Sequence, residues 1–272
     1  MLQPNSDTQT AVLVDGHAVA FTAWYESAET NINPGFMSML NSFTVPYENP
    51  LVIVAFDPPP PTFRHSLYPR YKANRPRPDE HFLHQCAEME DTLQNNGILV
   101  IKESGFEADD VLGSLVVSLI PQVRHIEICT CDLDLLQLVD TNVSAKIFSQ
   151  YWATRIFDVD AVIRRFDGLR PNQIPDLKAL MGDHSDNLPG IPGIGPKAAT
   201  RLLSAYPSIE DIYWNIDTIS ELPIRGSKRV QQLLINYEQD AYLMKTLTTI
   251  VRTIPINALK SATSGRDCYN AV

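Results

Sequence analysis

The 272-residue chain reads as an α/β protein with a mostly parallel sheet and helices on both faces, and three observations predict it. Short, largely apolar runs recur: AVLV at 11–14, LVIVAF at 51–56, ILVI at 98–101 and IEICTC at 126–131. Strands without a polar face belong to sheets covered on both sides, which is the usual state of parallel sheets. Between the runs lie helical patterns, at 79–96 closed by Gly97 and at 107–120 closed by Pro121. Lastly, Asp15, Asp57 and Asp132 each stand directly after an apolar run. In parallel sheets ligands bind beyond the carboxyl ends of the strands, so those three acids occupy the functional rim.

From about 159 onward the strand pattern stops. Helix-forming stretches at 159–166, 171–181, 196–205, 208–214 and 226–247 take over, separated by Pro and Gly turns. A soft boundary near 150–170 follows. The N-terminus MLQPNSDTQT has neither a basic start nor an apolar core, and the longest apolar run, 115–120, is too short to span a bilayer, so no membrane partner is expected. Cys86, Cys129, Cys131 and Cys268 lack the paired spacing of a zinc site. Reduced thiols and a cytoplasmic location are the reading.

Asp and Glu outnumber Lys and Arg 32 to 22, a net charge of −10. A phosphate-binding domain is usually basic. The objection loses weight if acids hold metal, because two or three divalent ions return about four to six positive charges to the place where phosphate docks.

The acids have a pattern. EADD at 107–110 opens a helix, with Glu107 and Asp110 on one face at i, i+3; Asp132 and Asp134 sit at i, i+2 after a strand; Asp183 and Asp186 sit at i, i+3 in the GDHSDN turn. Helix-start bias and Asx turns explain each pair singly. Together with Asp15 and Asp57 they would crowd like charges, which raise one another's pKa. Hard cations on oxygen ligands relieve that crowding. A set without His or Cys suits Mg²⁺ or Mn²⁺, used in pairs about 3.5–4 Å apart for displacement at phosphorus. His17, His65 and His184 read as structural hydrogen-bonding residues.

PGIPGIGPKAATRLL at 189–203 reads as a helix-hairpin-helix, with Gly190, Gly193 and Gly195 in the turn and Pro196 at a helix start. Backbone N–H groups at such a start take phosphate without reading bases, and Lys197 adds a charge. The segment TFRHSLYPRYKANRPR, 62–77, gathers Arg64, Arg70, Lys72, Arg75 and Arg77 beside Tyr68 and Tyr71. Cations interleaved with aromatics suit a single strand.

VDGH at 14–17, FD with TFRHSLYPRYKANRP, GFEADDVLGSLV at 105–116, TCDLDLLQLV at 130–139 and LMGDHSDNLPGIPGIGPKAA at 180–199 resemble the 5′ nuclease family. That family comprises the 5′→3′ exonuclease domain of bacterial DNA polymerase I and its stand-alone flap-endonuclease relatives. The likeness runs from about 11 to 250. It implies a PIN-like nuclease core over 1–165, with a helical arch at about 68–97, and a helical region over 166–272 with its helix-hairpin-helix at about 176–205.

By resemblance, Asp15, Asp57, Glu107, Asp109, Asp110 and Asp132 serve the metal nearer the attacking water, with Lys72 and Arg75 among the catalytic residues. Asp134, Asp183 and Asp186 serve the second metal. The main-chain carbonyls of Leu180, Met181, Pro189, Ile191 and Ile194 would hold K⁺. DNA contacts fall to Arg64, Tyr71, Lys72, Arg75, Lys178, Gly193, Ile194, Gly195, Pro196, Lys197 and Ala198. The implied substrate is DNA with a 5′ flap, 5′ end or junction, cut in replication and repair by a monomer working beside a separate DNA polymerase. A catalytically weak junction-binding module is the alternative. Three departures bear on rate and grip: Thr22 where many relatives have Arg, the proline run 58–61, and Leu133 in place of a common basic residue.

Overall fold

The computed structural model describes residues 10–28, 30–149 and 153–255; Cys268 lies outside them. In chain order the elements are β1 (Thr10–Asp15), α1 (Gly16–Glu26), α2 (Asn33–Thr44), β2 (Leu51–Ala55), α3 (Phe63–Leu67), α4 (Glu80–Asn95), β3 (Leu99–Ile101), α5 (Ala108–Leu119), β4 (His125–Thr130), β5 (Val143–Phe148) and β6 (Thr154–Phe157). Then come α6 (Val159–Arg165), α7 (Ile174–Met181), α8 (Pro196–Ala205), α9 (Ile209–Trp214), α10 (Ser227–Asn236) and α11 (Glu238–Thr248). Short 3₁₀ turns occupy Leu133–Leu138, Pro171–Gln173 and Ile216–Glu221. Two compact units result, one of residues up to 62, 77–158 and from 251, the other of 63–76 and 159–250.

The first unit holds one six-stranded sheet in the order β3-β2-β1-β4-β5-β6. All neighbours are parallel except the β5–β6 pair. Side chains alternate across a strand, so Val12, Val14, Val52 and Val54 share one face. They pack there with Phe36 and Met39 of α2 and Phe82 and Met89 of α4. The intervening Ala11, Leu13 and Ile53 are just as deeply buried on the opposite face, where α5 meets β1 and β2. Each such aliphatic or aromatic side chain stabilises the fold by about 1.5–3 kcal/mol. From β1 the chain steps out through β2 to β3 and then returns to place β4 on the other flank of β1. That reversal opens a crevice at the carboxyl end of β1, where Asp15 sits.

The strand pattern continues further than the apolar runs indicate. β5 has the sequence VSAKIF, and its Lys146 is buried because Nζ lies 2.5 Å from Glu127 on β4 and over the Phe43 and Tyr47 rings. Helix occupies only part of the segment 68–97 read as an arch. Residues 69–75 are turns, and the prolines at 69, 76 and 78 deny a helix its N–H groups. Only Glu80–Asn95 is helical, and it packs Phe82, Cys86, Met89 and Leu93 into the sheet core as the crossover between β2 and β3.

In the second unit α7 to α11 gather Leu180, Ile191, Leu202, Ile212, Leu234 and Met244 into one core. The single helix read at 226–247 divides at Tyr237, whose φ of −117° and ψ of 26° leave the helical range. Apolar spacing runs on through the break, so periodicity conceals it. Among the described residues no helix is long and apolar enough to cross a membrane, and Cys86, Cys129 and Cys131 are unbridged.

Candidate active site

Asp15 ends β1 and caps α1: its Oδ1 accepts the Ala18 N–H at 3.0 Å and its Oδ2 the Thr130 hydroxyl at 2.8 Å. Thr130 ends β4, and its Oγ1 also accepts the Asp132 N–H at 2.9 Å. One hydroxyl thus ties together the acidic residues that follow two neighbouring strands. Sequence reading passed over Thr130, since a Thr in a strand is unremarkable and only the pairing of β1 with β4 gives it this role. The Asp132 Oδ1 accepts the Asp134 N–H at 2.8 Å, capping the 133–138 turn.

Asp57 follows β2, with its side chain 44% exposed. Its own N–H donates to His17 Nδ1 at 3.0 Å, while its Oδ1 accepts the Ala108 N–H at 2.7 Å. His17 is therefore a structural hydrogen-bonding residue that fixes an acidic one. The bond to Ala108 brings the start of α5, and with it Glu107, Asp109 and Asp110, against the end of β2. Glu107 is buried and its N–H donates to Asp110 Oδ2 at 3.1 Å. Gly16 has no substitute in this corner, because a Cβ there would lie 2.7 Å from the Phe56 ring.

Seven of the nine acids singled out in the sequence belong to this unit. Their field is legible at Asp15, whose carboxyl is pushed up to about 7, first by burial and next by Asp57, with Asp132 adding to it. The Ala18 N–H and the Thr130 hydroxyl pull the other way and do not compensate. The Cys131 thiol, raised to about 12 by burial and then by Asp15, Asp132 and Asp109, senses the same negative surroundings. Crowded carboxylates form an oxygen-rich donor set suited to hard cations.

The second unit holds the other two acids. Asp183 Oδ2 pairs with Lys178 Nζ at 2.6 Å, and its Oδ1 accepts from the Ser185 N–H and hydroxyl at 2.8 and 2.7 Å. Burial opposes ionisation there, but Lys178 and Ser185 outweigh it and hold the carboxyl below its usual range. Asp186 accepts from Arg75 at 2.6 Å and from the Tyr71 hydroxyl at 3.1 Å. Its carbonyl takes the Lys72 N–H, and Asn74 and Arg75 reach the His184 and Ser185 carbonyls. Segment 70–75 is thereby laced onto turn 183–187.

Several residues read as DNA contacts have partners within this unit. Arg64 is 3% exposed and donates to the Leu247 and Thr249 carbonyls at the end of α11, because burial leaves its guanidinium no route to solvent. Tyr71 is likewise buried. Lys178 serves Asp183 directly. Lys72 keeps its ammonium over the Tyr71 ring, 5.0 Å from the centroid.

α7 and α8 form the hairpin, with Ile191 N–H bonded to the Leu180 carbonyl and Ile194 N–H to that of Ile191. Gly190, at φ 62°, packs so closely on Gly182 that a Cβ would fall 2.2 Å from its nitrogen. Ile191 and Ile194 anchor the turn in the core, which leaves Gly193, Gly195, Pro196 and Lys197 exposed at the start of α8.

Residues 10–167 match the family model described as the 5′-3′ exonuclease N-terminal, resolvase-like domain, and 169–267 match the 5′-3′ exonuclease C-terminal SAM fold. A 5′-3′ exonuclease of Buchnera aphidicola subsp. Baizongia pistaciae is 34% identical, over 90% of this chain and 83% of that protein. DNA polymerase I of Caldicellulosiruptor bescii is 36% identical over 90% of this chain, which spans only 29% of that polymerase. A flap endonuclease of bacteriophage T5, solved with DNA and metal ions, shares the fold at a TM-score of 0.75 and 23% identity, over 96% of this chain and 95% of that one. A sheet whose strands deliver acids to one rim, a glycine hairpin, and both halves matched in order lead to one conclusion: the chain belongs to the 5′-3′ exonuclease family of nucleases.

Proposed function

We propose that the chain hydrolyses DNA phosphodiesters near 5′ ends, 5′ flaps and single-strand to duplex junctions, in a site loaded with two divalent ions, Mg²⁺ or Mn²⁺. The observation that carries this reading is geometric: β1, β2 and β4 deliver Asp15, Asp57 and Asp132 to one rim of the sheet, where Thr130 joins Asp15 to the Asp132 backbone and Asp57 holds the start of α5. A binding module gains nothing from negative charge at the place where phosphate must sit.

Asp15, Asp57 and Asp132, with Glu107 and Asp109 from the start of α5, are the proposed ligands nearest the reacting phosphate; Asp134, Asp183 and Asp186 are carried over from the family motifs as further ligands. When bound, the ions neutralise phosphate charge and lower the pKa of a water. Thr130 and His17 keep the acids in register, while the helix-start N–H of Ala108 orients Asp57. Lys72 and Arg75 are carried over from the family motifs as cations for the single strand, Arg75 being paired with Asp186 in this structure. Gly193, Gly195, Pro196 and Lys197 offer N–H groups and a cation to duplex phosphates, with K⁺ held by hairpin carbonyls. Backbone contacts of this kind recognise junction shape and carry no base information. We place the protein in the cytoplasm as a monomer acting with a separate polymerase in replication and repair.

The test is a labelled 5′-flap duplex incubated with Mg²⁺ or with EDTA. Short 5′ products with Mg²⁺ alone support the reading, and binding without product in both leaves only a junction-binding module. Asp132→Ala should abolish cleavage and keep flap binding, since it removes acid and no phosphate-binding cation. Its lost cap costs about 1 kcal/mol, too little to unfold the chain.

A further inference from the structure

The family motif places Asp110 among the metal ligands, but its surroundings describe another task. It is wholly buried. Its Oδ1 accepts the Val251 N–H at 2.9 Å and its Oδ2 the Glu107 N–H at 3.1 Å. One turn along α5, the Ser114 hydroxyl accepts the Ile254 N–H at 3.0 Å and faces the Asp110 and Val251 carbonyls at 2.8 and 3.3 Å. Between those two anchors the Arg252 guanidinium donates to the Gln137 carbonyl at 2.7 Å. Gln137 lies in the 133–138 turn that Asp132 caps. Residues 251–254 therefore bind two elements at once, the helix that begins with Glu107 and Asp109 and the turn that begins with Asp132 and Asp134. This bridge adds to the direct packing of α5 on that turn.

We propose that Asp110 is a positioning residue, and that 251–254 is a strap which fixes α5 and the 133–138 turn at the separation their carboxylates need to hold divalent ions. The inference rests on the metal reading above. Groups that orient ligands without touching the metal set affinity strongly, since their loss costs about 10–100-fold in binding. A lost ligand, by contrast, changes how many ions bind.

The experiment is Mn²⁺ binding, by calorimetry and electron paramagnetic resonance, to the full chain and to Asp110→Asn, Arg252→Ala and Arg252→Lys, with thermal unfolding alongside. Asp110→Asn keeps volume but turns an N–H toward one backbone N–H. It should weaken Mn²⁺ by about 10–100-fold at unchanged ion stoichiometry. Arg252 is exposed, so Arg252→Ala folds and should weaken Mn²⁺ in the same direction by less, with Arg252→Lys restoring much of it. Loss of one bound ion in Asp110→Asn would overturn the positioning role in favour of direct ligation. Lower unfolding temperatures with unchanged Mn²⁺ affinity in both Asp110→Asn and Arg252→Ala would reduce the strap to a structural tie and overturn the proposal alone. Absence of Mn²⁺ binding in the unaltered chain would overturn the metal reading and the strap with it.

Discussion

Asp15 ionises where burial and two neighbouring carboxyls resist it, which couples metal to stability with a definite sign. In the unfolded chain the group loses its proton near 3.8, and in the fold near 7. The native state holds the extra proton between those values, so metal-free stability falls as pH rises from about 4 to 7 and levels off above. At about 1.36 kcal/mol per unit the loss is bounded by about 4 kcal/mol. Asp15→Asn keeps an acceptor for the Ala18 N–H and carries no charge. Melting in EDTA at pH 5 and pH 8 should show the unaltered chain losing stability and the variant losing less. Added Mg²⁺ should stabilise only the unaltered chain at pH 8. Equal pH responses for both would contradict the assignment.

At the level of elements, the hairpin depends on two facing glycines. Gly190→Ala would force a left-handed backbone on Ala, at about 1–3 kcal/mol, and drive a methyl against Gly182. A lower denaturation midpoint with weakened duplex binding is the expected outcome, and unchanged values would mean the turn is looser than its packing. β1, β2 and β4 were legible because burial on both faces writes a continuous apolar code. β5 was not, since Lys146 breaks that code and only its partner Glu127, on another strand, explains the breach. The hairpin was legible from glycine spacing. The lacing of 70–75 onto 183–187 was not, because a stretch of Arg and Lys looks the same in sequence whether its charges meet phosphate or, as for Arg75, an internal carboxylate.

Across the whole molecule, a net charge of −10 leaves DNA attraction to local groups of cations. Lys72→Ala and Lys197→Ala should each reduce the salt dependence of flap binding in EDTA, by about 0.7 in log–log slope for a single-strand contact and about 0.9 for a duplex contact. Titration at several salt concentrations reads both, and an unchanged slope removes that lysine from the interface. The acids needed for chemistry were all visible one at a time. How they divide between two units, with 63–76 grouped with the far half of the chain, depends on tertiary contacts that local pattern does not encode.

The Thr130 hydroxyl gives its hydrogen to Asp15 and takes one from the Asp132 backbone. A valine of nearly equal shape at that position would leave every acid in place and the sheet filled, yet unpin both neighbours from each other. Counting carboxylates in a related chain therefore leaves out part of what aligns them: an uncharged oxygen sets how two of them stand to each other.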